Sequence, residues 1–303
     1  NKGRTTLEHV PKIEEVNRLI EVLLSIGVRV EWHGTSVVIE PPKTFSLKAI
    51  NRAAAAKTRS ILMFIGPLLH FFKKFELPQS GGCTLGLRSV RPHLMALEKF
   101  GVAIETHSDS YHITHAKLVP SEVVLYESSD TATINALLAA ACIPGTSIIK
   151  YASANYQVQE CRGFLRSLGV SIDGTGTTTL RVKGVATIRK NVSYSVAEDP
   201  TDAMFFIAAA AVTSSAITIT AAPIEFLEVE LLILGKMGLK YNLSKRRVSE
   251  NGITKLADIS VKRSLLIAFP EKIHARPYPG LNIDNLPFFA VIATQAKGIT
   301  LIH

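Results

Sequence analysis

One pattern recurs four times along the chain: an apolar helical stretch ends in glycine, and a β-like alternation follows. It runs Leu23-Leu24-Ser25-Ile26-Gly27-Val28, Leu97-Glu98-Lys99-Phe100-Gly101-Val102, Leu165-Arg166-Ser167-Leu168-Gly169-Val170 and Leu234-Gly235-Lys236-Met237-Gly238-Leu239, with glycine spacings of 74, 68 and 69 residues. Each glycine sits where a helix needs a left-handed C-terminal residue. The Val/Ile/Tyr alternation beyond it reads as a hairpin, with turns at Trp32-His33-Gly34-Thr35 and Asp173-Gly174-Thr175-Gly176. Between these marks lies an Ala-rich helix followed by a strand, over residues 132–141 then 146–151, 203–212 then 216–220, and 287–294 then 299–302. The repeating unit is therefore helix, strand, helix, strand, strand, about 70 residues long. Alanine-rich helices approach their neighbours closely, so these are expected in a domain core.

Against that unit, residues 5–10 form a strand whose preceding helix is absent, and residues 286–303 form a helix and strand whose second half is absent. The expectation is a window cut from a longer repeat protein. At ~150 residues per domain, 303 residues make about two. A break in composition over residues 190–200 places the crossover near Ala197. The expected domains are residues 1–197, lacking the first helix, and residues 198–303, an incomplete second domain.

A hydrophobic content of 47% supports a large core and excludes a disordered polymer. Three cysteines, Cys83, Cys142 and Cys161, are too far apart for a disulfide framework or a cysteine-based zinc site, which fits a reducing, cytoplasmic setting. The longest apolar stretch is far short of the ~20 residues that cross a bilayer, so no membrane association is expected. Net charge is +9, but Lys and Arg are scattered, with no run longer than Lys245-Arg246-Arg247 and no interleaved stacking aromatics. That distribution disfavours nucleic acid and leaves small anionic substrates.

The stretch richest in chemistry is Gln79-Ser80-Gly81-Gly82-Cys83-Thr84-Leu85-Gly86-Leu87-Arg88-Ser89-Val90-Arg91-Pro92-His93. Three glycines around one cysteine make a lid-like loop. Arg88, five residues on, can stabilise a thiolate or grip a phosphate bidentately. An incidental cysteine in a surface turn fits the residues equally well. Gly174-x-Gly176 lacks the third glycine of a dinucleotide fingerprint, no Gly-Lys-Ser/Thr phosphate loop occurs, and the nine histidines show no metal spacing, so neither cofactor nor metal is expected.

With Thr58-Arg59-Ser60 and Ile65-Gly66-Pro67-Leu68 before it, the Gly-Gly-Cys-Thr-Leu-Gly-x-Arg stretch resembles the UDP-N-acetylglucosamine 1-carboxyvinyltransferase family of enolpyruvyl transferases, and the resemblance extends over the whole chain. It implies an inside-out α/β barrel of two domains, each of three ~70-residue units, with the site in the cleft between them. It implies two small-molecule substrates, phosphoenolpyruvate and UDP-N-acetylglucosamine, joined with release of phosphate. Cys83 matches the loop cysteine that protonates phosphoenolpyruvate. A thiol with an ordinary pKa of ~8.5 is largely protonated at neutral pH, which suits a proton donor. Arg88 and Arg59 match arginines that contact the substrates, and Ser89, Val90, Arg91 and His93 follow in the nucleotide-contacting stretch, where a satisfied structural role fits His93 equally well. Ser129 and Asp130, opening a helix, match a uridine-diphosphate contact region, a placement that suits an anion. Asp284, in Pro279-Gly280-Leu281-Asn282-Ile283-Asp284, matches the aspartate that takes the proton of the sugar hydroxyl. Taken alone, Asp284 reads better as a turn or N-cap residue.

The departures concern the acceptor. Arg91 stands where the family has an aspartate, Glu127 where some members have lysine, and Pro200 where an arginine follows Asp199. A lysine–asparagine pair and a late arginine of the family lie outside residues 1–303, so the piece alone is expected to be inactive. The alternatives are a 5-enolpyruvylshikimate-3-phosphate synthase-like transferase, which does not rely on a loop cysteine, and a non-catalytic paralogue that binds nucleotide sugar.

Overall fold

All four marking glycines take the left-handed conformation: φ is +95° at Gly27, +90° at Gly101, +96° at Gly169 and +93° at Gly238. At three of them the next amide donates to a carbonyl five residues back, Val28 to Leu23 (3.0 Å), Val170 to Leu165 (3.1 Å) and Leu239 to Leu234 (2.9 Å). These bonds satisfy helix-end carbonyls and turn the chain sharply into the next strand.

The computed structural model describes residues 1–80 and 89–303, which fall into two units, Asn1–Val196 and Ala197–His303. In the first, β1 (Thr5–Glu8), α1 (Glu14–Ser25), β2 (Arg29–His33) and β3 (Ser36–Glu40) precede the short helices α2 (Arg52–Ala55) and α3 (Ile65–Leu68). Then come β4 (Lys74–Pro78), α4 (Arg91–Glu98), β5 (Val102–Thr106), β6 (Ser110–His115) and β7 (Glu122–Val124). The unit ends with α5 (Asp130–Ala140), β8 (Gly145–Lys150), α6 (Tyr156–Ser167), β9 (Ser171–Asp173), β10 (Thr179–Gly184) and β11 (Val192–Ser195).

Its strands form three separate sheets, ordered β11-β1-β3-β2, β4-β6-β5 and β7-β8-β10-β9. Most pairs are antiparallel, but β11 runs parallel to β1, with Leu7 opposite Tyr194. This pairing brings the last strand of the unit back to its first. The helices lie inside: α5 buries Ala132, Thr133, Asn135, Ala136, Leu137, Ala139 and Ala140, and packs against α3, α4 and α6. Small side chains permit that approach. Strands β8 and β10 turn Ile149, Leu180 and Val182 inward and leave Arg181 and Lys183 in solvent. The result is an inside-out α/β arrangement, helices central and sheets peripheral, whose sheets do not join into a closed barrel.

The second unit comprises α7 (Pro200–Val212), β12 (Ile217–Pro223), α8 (Glu228–Lys236), β13 (Lys240–Leu243), β14 (Arg247–Val248), β15 (Lys255–Lys262) and α9 (Leu286–Ala293). Strand β15 lies between β12 and β13 and also pairs with β14. Helices α7 and α9 pack together around Met204, Ile207, Phe289 and Ile292. The strand expected at residues 299–302 is reduced to isolated parallel bridges, Ile267 with Lys297 and Ile273 with Ile302. Pro270, between the two bridging points, has no N–H and breaks the ladder. No helix among the described residues is long and apolar enough to cross a membrane.

Candidate active site

Arg59 opens a 3-10 turn capped by Thr58, whose hydroxyl accepts the Ser60 amide at 3.1 Å. Glu15, on α1, accepts from the Thr58 hydroxyl at 2.9 Å and from the Ser60 hydroxyl as well. The turn is thus tied down on both sides of Arg59, whose Nη2 donates to the Ser89 carbonyl at 2.9 Å. Ser89 in turn accepts the Arg91 amide on its hydroxyl (3.1 Å), while Val90 caps α4 and accepts the His93 amide at 3.1 Å. Arg59, Ser89, Val90 and Arg91 are therefore brought together at the start of α4. Cys83 and Arg88 lie outside the described residues.

His93 is 2% exposed and sits between α4 and α5. Its surroundings fix its tautomer. Asn135 accepts the Gly66 amide on Oδ1 at 2.9 Å, so its Nδ2 faces the Leu62 carbonyl (2.9 Å) and Nδ1 of His93 (3.3 Å). Nδ1 must then accept, and the proton is assigned to Nε2, which donates to the Thr131 hydroxyl at 3.2 Å. Burial pushes the His93 imidazole down to about 4, with the like charge of Arg59 adding to the effect. At neutral pH this is an uncharged donor, not a cation.

Thr131 belongs to the first turn of α5, which Ser129 caps by accepting the Ala132 amide at 3.3 Å. The Ser129 and Thr131 hydroxyls are 3.4 Å apart, so His93 and Ser129 meet at one helix N-terminus. Asp130 points elsewhere: its carboxylate accepts from the Ser153 hydroxyl and from Asn155 Nδ2 at 3.1 Å, joining α5 to the start of α6.

Asp284 lies in the second unit, exposed, on a 3-10 turn (Ile283–Asn285) that leads into α9. Asn282 caps that turn by accepting the Asp284 amide at 3.0 Å. Behind it stands a residue that sequence reasoning missed. Glu230 of α8, 2% exposed, accepts the Asn282 amide at 3.3 Å and Asn285 Nδ2 at 2.8 Å. Burial raises its carboxyl above the usual range, partly offset by the Asn285 hydrogen bond. Asn135 and Glu15 were also missed. An acidic or amide residue on an apolar helix face was the available signal, but their partners are 42 to 73 residues away in sequence.

The family model for EPSP synthase (3-phosphoshikimate 1-carboxyvinyltransferase) matches residues 1–303. The chain is 32% identical over 300 residues to the UDP-N-acetylglucosamine 1-carboxyvinyltransferase of Treponema denticola, covering 98% of this chain and 68% of that protein. The protein of the same name from Thermobifida fusca is 30% identical, with 100% of this chain and 69% of that protein covered. Among solved structures, the enolpyruvyl transferase NikO from Streptomyces tendae superposes with a TM-score of 0.80 at 17% identity, over 99% of this chain and 70% of that one. EPSP synthase from Acinetobacter baumannii gives 0.70 at 21% identity, over 99% and 68%. The structural likenesses bear on the fold, and the family model and sequence relatives bear on descent: the chain belongs to the EPSP synthase family of carboxyvinyltransferases.

Proposed function

We propose that the protein transfers the enolpyruvyl group of phosphoenolpyruvate to the 3′-hydroxyl of UDP-N-acetylglucosamine and releases phosphate, the step that opens peptidoglycan synthesis in the cytoplasm. The observation that carries this reading is the 32% identity over 98% of the chain to a relative of that name, together with the Gly-Gly-Cys-Thr-Leu-Gly-x-Arg stretch.

The chemistry needs a proton delivered to the methylene carbon as the sugar oxygen bonds to the adjacent carbon. Cys83 is assigned as that donor and Asp284 as the base that takes the hydroxyl proton, since a hydroxyl is too weak an acid to lose it unaided. The tetrahedral adduct then loses phosphate and one methyl proton, restoring the double bond. Arg88 and Arg59 are assigned to the anionic groups, where a fixed guanidinium offsets phosphate or carboxylate charge. Ser89, Val90 and Arg91 are assigned to the nucleotide sugar, with His93 buried behind them and supporting Thr131, and Ser129 with Asp130 to the diphosphate region at the α5 N-terminus. The neutral Nε2–H of His93 suits that place, because it holds Thr131 without titrating near neutral pH.

A second reading takes shikimate 3-phosphate as the acceptor, and the name of the matching family model favours it. The test is phosphate release by the full-length protein with phosphoenolpyruvate and each acceptor in turn, repeated for Cys83→Ala and Asp284→Ala. Turnover with the nucleotide sugar that both substitutions abolish is expected. Turnover with shikimate 3-phosphate alone would overturn the acceptor, and robust turnover by both variants would overturn the assigned roles. Tight nucleotide-sugar binding without turnover would identify a binding protein instead.

A further inference from the structure

Helix α8 buries Leu231, Ile233 and Leu234 in the core of the second unit, and on the same short helix it also buries a carboxylate. Taking an ionised carboxyl out of water is costly unless donors replace the lost hydration. Glu230 has two such donors on one oxygen, Oε1, and they come from a single turn: the Asn282 backbone amide at 3.3 Å and the Asn285 side-chain amide at 2.8 Å. Asn285 is fully buried, so its Nδ2 would lose its acceptor if residue 230 were apolar. The two donors flank Asp284, whose own amide is bound by Asn282 Oδ1 at 3.0 Å.

Glu230 therefore grips the turn on both sides of the exposed residue between them. Asn282 is held through its backbone to Glu230 and holds the Asp284 backbone through its side chain. The Asn285 amide also donates to the Asn282 carbonyl at 3.0 Å, closing the turn on itself. Leu281 and Phe289, 2% and 0% exposed, seal the two ends into the core. Asp284 is thus an exposed carboxylate on a backbone fixed from behind. That is the arrangement a base needs, because a displacement of about 1 Å can cost 10²-fold in rate.

We propose that Glu230 is a positioning residue for Asp284: through Asn282 and Asn285 it fixes the turn that presents the base to the acceptor hydroxyl. The role rests on the functional reading above, whereas the grip on the turn can be read without any substrate.

Two variants and two readouts test it. Glu230→Leu matches the helix's apolar neighbours and removes the acceptor, and Glu230→Gln keeps an oxygen acceptor at nearly the same place. By hydrogen–deuterium exchange on the full-length protein, Glu230→Leu is expected to speed exchange at Asn282, Asp284 and Asn285 at least tenfold, with exchange in α7 and β15 unchanged. Glu230→Gln is expected to stay within threefold of wild type. In turnover by the full-length protein, Glu230→Leu is expected to lower kcat at least tenfold, with KM for both substrates within threefold, and Glu230→Gln to recover most of that loss. Unchanged exchange in Glu230→Leu would overturn the grip, and so would a Glu230→Gln variant as loose as Glu230→Leu. Faster exchange without a fall in kcat would overturn the positioning role. A wild-type protein inactive on every acceptor would overturn the functional reading, while the exchange data would still decide whether Glu230 holds the turn.

Discussion

Asn135 Nδ2 donates to His93 Nδ1 across 3.3 Å, and the same amide serves Gly66 and Leu62. One fully buried side chain thereby joins the turn that begins at Arg59, the helix α4 and the helix α5. Replacing it with leucine leaves the Gly66 amide and His93 Nδ1 buried without the partners that Asn135 gives them, at ~1–3 kcal/mol each, while the Leu62 carbonyl keeps the Ile65 amide. Asn135→Leu is expected to lose about 2–4 kcal/mol of stability, read as a lower urea midpoint at unchanged slope. A variant within 0.5 kcal/mol of wild type, on the order of a neutral surface change, would show that the bridge carries no weight.

The glycines of the first unit serve different ends. A Cβ on Gly66 would stand 2.7 Å from the Asn135 carbonyl oxygen and 2.8 Å from Asn135 Oδ1, both fixed inside the core. At Gly169, φ is +96° and nothing lies within 4 Å of that position, so alanine there meets backbone strain alone. Gly66→Ala is expected to cost about 2–4 kcal/mol and Gly169→Ala about 1 kcal/mol. Parallel thermal melts give the order, and the reverse order would contradict the close approach of α3 to α5.

His93 makes stability depend on pH in a definite direction. Its folded pKa of about 4 lies below the ordinary 6.5, so between these values the unfolded chain binds the proton and the folded one does not. Stability therefore falls as pH drops from about 6.5 towards 4, by about 3 kcal/mol in all for this group. A His93→Gln variant is expected to lack that part of the acid sensitivity. Urea titrations of both proteins at pH 7, 5.5 and 4.5 check it: parallel losses in the two would mean that His93 already titrates normally.

Much of the fold was legible because its signals are local. Gly27, Gly101, Gly169 and Gly238 mark helix ends with a residue type that only a left-handed position requires, and all four have positive φ. The Ala-rich stretches at 132–141 and 203–212 became the buried helices α5 and α7 for an equally local reason, a side chain small enough for close packing. The strand at 299–302 failed because its partner segment carries Pro270, a break that matters only once pairing is known. The candidate site divides in the same way. Arg59, His93 and Ser129 lie in or beside the stretches that carry the family resemblance, and that resemblance singles them out. Glu15, Asn135 and Glu230 could not be found so, since each is defined by a partner 43 or more residues away in the chain. Asp130 could be read as part of a helix opening, but not its carboxylate's partners, Ser153 and Asn155, which lie 23 and 25 residues on.

The cysteines give a final prediction. Burial pushes the Cys161 thiol up to about 12, and it raises the partly buried Cys142 thiol as well. The thiolate is the form that alkylates, and at pH 8 a thiol of ordinary pKa, ~8.5, is about a quarter ionised. With its pKa near 12, Cys161 is ionised to about one part in 10⁴ at that pH. In the native protein, iodoacetamide at pH 8 is expected to modify Cys83 first, Cys142 more slowly, and Cys161 at least 10³-fold more slowly than in the urea-unfolded chain. Peptide mapping by mass spectrometry resolves the three sites. If phosphoenolpyruvate with UDP-N-acetylglucosamine slows only the Cys83 reaction, the thiol assigned as proton donor lies where the substrates bind. Equal labelling of Cys83 and Cys161 would leave the assignment of Cys83 without chemical support.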